Sequence, residues 1–312
     1  MSLFDRIEKI VRSFIKTQID NGITNPSLHI SLHESRNKKN KFVFIPEIHN
    51  DFDPNALDFF VEIEKYKYPE ITYIFEIGVR NEHLVRTSSP TSPSNIDRSY
   101  LYLINNDPDY KTKIIYGDDR SDSNLVDIDF YRHRPIEERE KYYKLLHEVV
   151  EIFREFLNDA NLSKNDKMME KYIKILDIAT EERYFNPFVL LMKNFIEHLK
   201  SKDDKLNLVA PIHQMLDDFL KHNYGFYTYP EIEDKFEKKL ILSPAPDFVY
   251  TPFTHLVALL NDSNVFFKVF DNFYYYDGSG QIVVFIFGAG HIRNFKEIIG
   301  RLSSEKTKGF GY

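Results

Sequence analysis

The chain has no cysteine and no tryptophan. Without thiols there are no disulfides, no thiolate metal sites and no cysteine nucleophile, so any bound metal must take His, Asp or Glu ligands. Also missing is an apolar run long enough to span a bilayer, which argues against a membrane protein. Positive charge is not in excess, since 41 Lys and Arg stand against 48 Asp and Glu for a formal net charge of −7. A general nucleic-acid binder needs a clustered basic face for the phosphates, and this balance argues against one. The N-terminus lacks the apolar h-region of a secretory signal. Phe4, Ile7, Ile10, Val11, Phe14 and Ile15 instead take helical spacing, the pattern of an amphipathic helix covering a core. The expectation is a soluble cytoplasmic protein.

What is present suffices for a sizeable core: 312 residues, 42% hydrophobic and 29% charged. The chain is organised around Lys41-Phe-Val-Phe-Ile-Pro-Glu-Ile-His-Asn-Asp51. An apolar strand, Phe42 to Ile45, stops at Pro46 and gives way to Glu47, His49, Asn50 and Asp51. A helix then opens with Asp53 as N-cap and Pro54 as first helical residue. In open α/β sheets, ligands bind in the crevice beyond the carboxyl ends of such strands.

Three further apolar runs end the same way. Ile71–Ile77 carries Glu76 near its end, and Lys113–Tyr116 runs into Gly117-Asp-Asp-Arg120. Gln281–Phe287 is followed by Gly288-Ala-Gly-His291 and a helix. The fold class expected is α/β, a central largely parallel or mixed sheet flanked by helices. Between residues 135 and 225 the apolar period becomes helical, which reads as an inserted helical block. The organisation expected is a first α/β core segment over 1–134, a helical insertion over 135–225 and a second core segment over 226–312, one domain overall. Val265–Phe270 reads as a strand after a short helix from Pro252, and Thr87–Asp97 reads as a Ser/Pro-rich loop. His29 and His33 read as solvated imidazoles on a short edge strand, and His147, His198, His213 and His222 as surface residues.

If the four strands are parallel, their polar ends share one edge and bring Glu47, His49, Glu76, Asp119, Arg120 and His291 to one cleft. Such a set can do two kinds of work. A histidine oriented by a carboxylate can take a proton from water, because imidazole titrates near neutrality. Alternatively His49, Glu76, His291 and Asp119 can hold a divalent metal ion with an open position for water. Arg120 suits an oxyanion or a ligand carboxylate or phosphate. Gly288 and Gly290 would let backbone approach a ligand at a helix N-terminus. The bland alternative is that each residue caps or packs its own strand end. A dinucleotide site at Gly288-x-Gly290 is weakly signalled, because Arg293 stands where the third glycine belongs.

Pro46-Glu-Ile-His-Asn-Asp51 resembles the Gly-Glu-x-His-Asp-Asn type motif of ChaN-like proteins. Gly288-Ala-Gly-His291 resembles the second Gly-x-x-His motif of the wider erythromycin esterase/ChaN and Tiki/TraB group. Glu76 falls where that group places a glutamate, and Gly117-Asp-Asp-Arg120 is similar to its Gly-Asp-Arg turn. The resemblance spans about residues 40–120 and 240–300. It implies an α/β fold with the two histidine motifs facing each other, and hydrolysis of a small-molecule ester or a peptide. His49 would be base or ligand, Glu47 and Glu76 orienters or ligands, His291 the partner imidazole, and Arg120 the anion-stabilising group. A divalent metal is the implied cofactor of one branch; haem is that of a non-catalytic alternative. The chain departs from the pattern at Pro46, where the group's glycine would offer a backbone N–H.

Overall fold

Strand β2 (Lys41–Glu47) is buried along its whole length because it has a strand on each side. In this computed structural model the described residues are 3–22, 29–35, 38–47, 54–65, 71–77, 94–118, 165–181, 252–273 and 280–304, with 148, 152, 155, 194, 214 and 215. Among them β1 (Ser31–Glu34), β2, β3 (Ile71–Phe75), β4 (Ile114–Tyr116) and β5 (Ile282–Gly288) form one sheet in the order β1-β2-β5-β3-β4. Strands β2, β5, β3 and β4 run parallel, and β1 pairs antiparallel with β2 at the edge. The helices are α1 (Leu3–Asp20), α2 (Pro54–Glu64), α3 (Asn95–Asn106), the single turn α4 (Tyr110–Lys113), α5 (Asp166–Glu181), α6 (Pro252–Phe273) and α7 (Ala289–Ser304). The expected α/β class, a mostly parallel mixed sheet flanked by helices, is the one found.

Side chains of a strand alternate between the faces of its sheet, and the two faces here have different covers. Val43 and Ile45 of β2, Tyr73 and Phe75 of β3, and Val284 and Ile286 of β5 point to one side. There they meet Ile7 and Val11 of α1, Phe59, Phe60 and Ile63 of α2, and Ile96, Tyr100 and Leu103 of α3. Their neighbours in sequence point the other way. Phe44, Phe285 and Phe287 all pack on Phe295 of α7, with ring centroids 6.5, 5.2 and 5.3 Å away. Burying each such ring stabilises by about 1.5–3 kcal/mol. The amphipathic pattern read at the N-terminus is α1, with Ile7 and Val11 in the core and Phe4, Ile10, Phe14 and Ile15 packed against it.

Three expectations need correction. The apolar run of β2 does not stop at Pro46; the strand continues to Glu47. Lys41 donates its N–H toward β5, to Gln281 O. By alternation the nitrogen of Pro46 therefore points toward β1, whose pairing with β2 has already ended at Phe44. No ladder bond is lost there, which is the circumstance in which strands tolerate proline. Second, Val265–Phe270 is not a strand. It lies within α6, whose residues Leu259 to Val269 are buried or nearly so on all sides. The six residues Val265-Phe-Phe-Lys-Val-Phe270 are too short a run for periodicity to separate a helix from a strand. Third, His33 is not a solvated imidazole: it is half-buried in β1, and burial pushes its pKa down to about 4.

The chain divides into two compact units. One comprises Met1–Asp119 with Val265–Glu297, the other Arg120–Asn264 with Ile298–Tyr312. The whole sheet lies in the first. In the second, α5 falls within the stretch read as helical, and it buries Met169 and Tyr172. His147, His198, His213 and His222 lie outside the described residues. No helix among the described residues is long and apolar enough to cross a membrane.

Candidate active site at the strand ends

The ladder between β3 and β5 runs one step past the last strand residue of β3, where the Glu76 N–H donates to Ile286 O at 3.1 Å. The next β5 donor on that side is the N–H of Gly288. No backbone carbonyl among the described residues takes it; the Glu76 side chain does, through Oε2 at 2.6 Å. Helix α7 begins at the following residue, Ala289, so His291 falls in its first turn. Its Nε2 stands 3.0 Å from the other oxygen, Oε1 of Glu76. Both groups are largely withdrawn from water, with side-chain exposures of 11% for His291 and 4% for Glu76.

One carboxylate thus bridges the N-terminus of α7 and the imidazole carried by its first turn. Negative charge there is favoured by the helix dipole. A neutral His291 donating through Nε2 carries its lone pair on Nδ1, so the contact sets the tautomer as well as the ring orientation. A second support comes from Phe287, whose ring stands edge-on to the imidazole with centroids 6.1 Å apart. That ring occupies the space a side chain would need at Gly117. A Cβ on Gly117 would lie 2.4 Å from Phe287 Cζ and 3.0 Å from Phe75 O. Glycine after β4 is therefore a packing requirement, and its N–H extends the ladder to Phe75 O at 2.8 Å. Gly290 differs, since among the described residues nothing lies within 4 Å of where its Cβ would stand.

Glu47, at the end of β2, lies opposite Gly288 in the parallel register, yet it does not join this pair. It shares the face of Val43 and Ile45, so its side chain goes to α3. Its carboxylate accepts from Ser94 Oγ at 3.0 Å and from the Ile96 N–H at 2.5 Å, and the residue is only 2% exposed. Ser94 is the N-cap of α3, in extended conformation (φ −85°, ψ 126°), and its Oγ accepts from the Asp97 N–H at 3.2 Å. The start of α3 is therefore capped twice, by its own serine and by a glutamate from a distant strand.

Of the residues singled out from the sequence, the structure brings Glu76, His291 and Gly288 together and directs Glu47 to the opposite face. His49, Asp119 and Arg120 lie outside the described residues. Among the described residues no group of three or more His, Asp or Glu is placed to hold a metal ion. Ser94 to Asp97, read as the end of a Ser/Pro-rich loop over Thr87–Asp97, are instead the N-cap and first turn of α3. Their signal was legible, because Ser94-Asn-Ile-Asp97 is a serine followed three residues later by an acid, the pattern of a helix start. Comparison with protein-family models, with curated proteins and with solved structures found no match to this chain.

Proposed function

We propose that the chain is a hydrolase of the erythromycin esterase/ChaN/Tiki type, working in the cytoplasm on an ester or peptide bond. In this reading His291 is the general base and Glu76 its orienter. The observation that carries it is the 3.0 Å contact between His291 Nε2 and Glu76 Oε1 at the carboxyl ends of parallel strands.

The chemistry follows from the tautomer. With Nε2–H committed to the carboxylate, Nδ1 takes a proton from water as the water oxygen bonds to the substrate carbonyl carbon. Glu76 stays ionised and stabilises the imidazolium that results. The same proton then passes from Nδ1 to the departing alkoxide or amine as its bond to carbon breaks, which returns the imidazole to its starting form. General base catalysis of this kind contributes typically about 10²–10⁴-fold.

The test is turnover of a panel of p-nitrophenyl esters and short peptides by the wild type, His291→Ala and Glu76→Gln, with circular dichroism as the control for folding. The reading expects a loss of about 10²–10⁴-fold in both variants with the fold kept. Turnover that survives His291→Ala removes it. Titration with haem gives the other outcome: a Soret band with no turnover on any substrate would make the protein a binder.

A further inference from the structure

We propose that Glu47 is a positioning residue that staples the end of β2 to the first turn of α3, and that it exchanges no proton during the reaction. This rests on the hydrolytic reading of the His291–Glu76 pair.

Sheet alternation is the first ground. Glu47 has the parity of Val43 and Ile45, whereas Glu76 reaches His291 on the face covered by α7. The two carboxylates therefore leave the same sheet edge toward different covers, and β5 runs between their strands. The second ground is what the Glu47 carboxylate already does. It accepts the Ile96 N–H at 2.5 Å and the Ser94 hydroxyl at 3.0 Å, both at the N-terminus of a 12-residue helix. Ser94 in turn accepts from the Asp97 N–H, so strand end, cap and first helical turn form one chain of hydrogen bonds.

The third ground is the sequence distance spanned. Ser94 and Glu47 are 47 residues apart, and Ser94 closes the Ser/Pro-rich segment that precedes α3. The staple gives two chain segments a common fixed point at the carboxyl edge of the sheet. Whatever the chain delivers after Glu47 departs from an anchored residue. A glutamate in the first histidine motif, which residue type alone would assign to proton transfer or metal ligation, is on this account a structural tether.

The experiment uses the full chain with Glu47→Gln, Glu47→Ala and Ser94→Ala, reading amide hydrogen exchange at Ile96 and Asp97 together with the pH profile of kcat/KM. Glutamine keeps an oxygen for the Ile96 N–H and can pair with the serine hydroxyl. Exchange in Glu47→Gln is therefore expected to stay near the wild-type rate, and turnover to fall by no more than about tenfold, below the 10² of a lost general base. The acid limb of the pH profile should not move. In Glu47→Ala the Ile96 amide should exchange at least about tenfold faster through local opening of the first turn. Ser94→Ala should accelerate Asp97 in the same direction, and it serves if Glu47→Ala does not fold. A loss of about 10²-fold or more in Glu47→Gln with Ile96 still protected would overturn the proposal and make Glu47 a reacting group. So would an Ile96 amide that is unprotected in the wild type. If the wild type turns over nothing on the panel, the hydrolytic reading fails by itself, and the exchange rates alone decide whether the staple exists.

Discussion

Glu47 and Glu76 leave one edge of the sheet toward opposite faces of it. Glu47 bonds to the start of α3 through Ser94 and Ile96, while Glu76 bonds to the start of α7 through Gly288 and His291. Each is a buried carboxylate at a helix N-terminus, where the dipole and unpaired amides favour it. Their strands flank β5 on either side. One strand-end glutamate supports a helix and the other an imidazole, although both are glutamates that follow an apolar strand.

The bridging role of Glu76 predicts the behaviour of Glu76→Gln in the absence of any substrate. A glutamine has a single oxygen, whereas the carboxylate gives Oε1 to His291 and Oε2 to Gly288. One of those donors loses its acceptor in a buried setting, at a cost of about 1–3 kcal/mol. The urea midpoint should fall accordingly. Long-range ¹⁵N–¹H correlation should show one imidazole tautomer, Nε2–H, in the wild type and a mixture in the variant. A mixture already present in the wild type would mean that the contact does not hold the ring.

Two glycines of the edge should respond oppositely to alanine. At Gly117 the new methyl would stand 2.4 Å from Phe287 Cζ, and the backbone oxygen of Phe75 blocks retreat at 3.0 Å. Overpacking of this kind costs about 1–3 kcal/mol. The displaced ring is the one edge-on to His291, so the imidazole resonances should shift with the loss of stability. At Gly290 no described residue lies within 4 Å, and alanine should raise stability by up to about 1 kcal/mol through helix propensity. Thermal melts of the two variants should bracket the wild type; equal destabilisation would contradict the packing at Gly117.

Burial of His33 makes stability depend on acid. The group's pKa is lowered from 6.5 to about 4 in the folded chain. Between those values the unfolded chain binds a proton that the folded chain does not, so stability is fully present above 6.5 and is lost as pH falls toward 4. The expected loss over that window is about 2 kcal/mol, the partial exposure of the ring being allowed for. Urea midpoints at neutral and mildly acidic pH measure it. His33→Gln should flatten the dependence across the same interval, and an equally steep fall in that variant would assign the effect to other groups.

Inside the face covered by α1, α2 and α3, the Tyr73 hydroxyl donates to the Glu64 carboxylate. Burial, then the charge of Glu64, raises the phenol well above its ordinary pKa. Tyr73→Phe takes a charge-assisted hydrogen bond from a buried acid, which should cost about 1.5–3 kcal/mol. Adding Glu64→Leu should restore some of that, because replacing both partners removes the buried charge along with its donor. A double variant as unstable as the sum of the two single ones would show that the pair is not coupled.

How far the sequence reaches is clearest at β2 and α6. The apolar run from Phe42 gave a strand at the right place, but its end could not be set at Pro46. Whether a proline ends a strand depends on which neighbour its nitrogen faces, and that neighbour, β1, is a matter of pairing. Val265–Phe270 read as a strand and turned out helical, because six residues, apolar but for Lys268, are too few to show a period. The strand-end polar residues were legible for the same reason β2 was: an apolar run interrupted by Glu76, or by Gly288 and His291, is a strong local contrast.

By itself the sequence determined the class of the fold, because hydrophobic period and strand-ending residues are local properties of the chain. It also excluded thiol chemistry, since cysteine is absent, and left His, Asp and Glu as the side chains for any metal. Only the tertiary structure decided which of those residues meet. Inserting β5 between β2 and β3 puts Gly288 beside Glu76, and one step of alternation along each strand sends Glu76 to His291 and Glu47 to Ser94. Register and parity of paired strands are relations between distant segments, and they fix side-chain direction in a way that residue type does not.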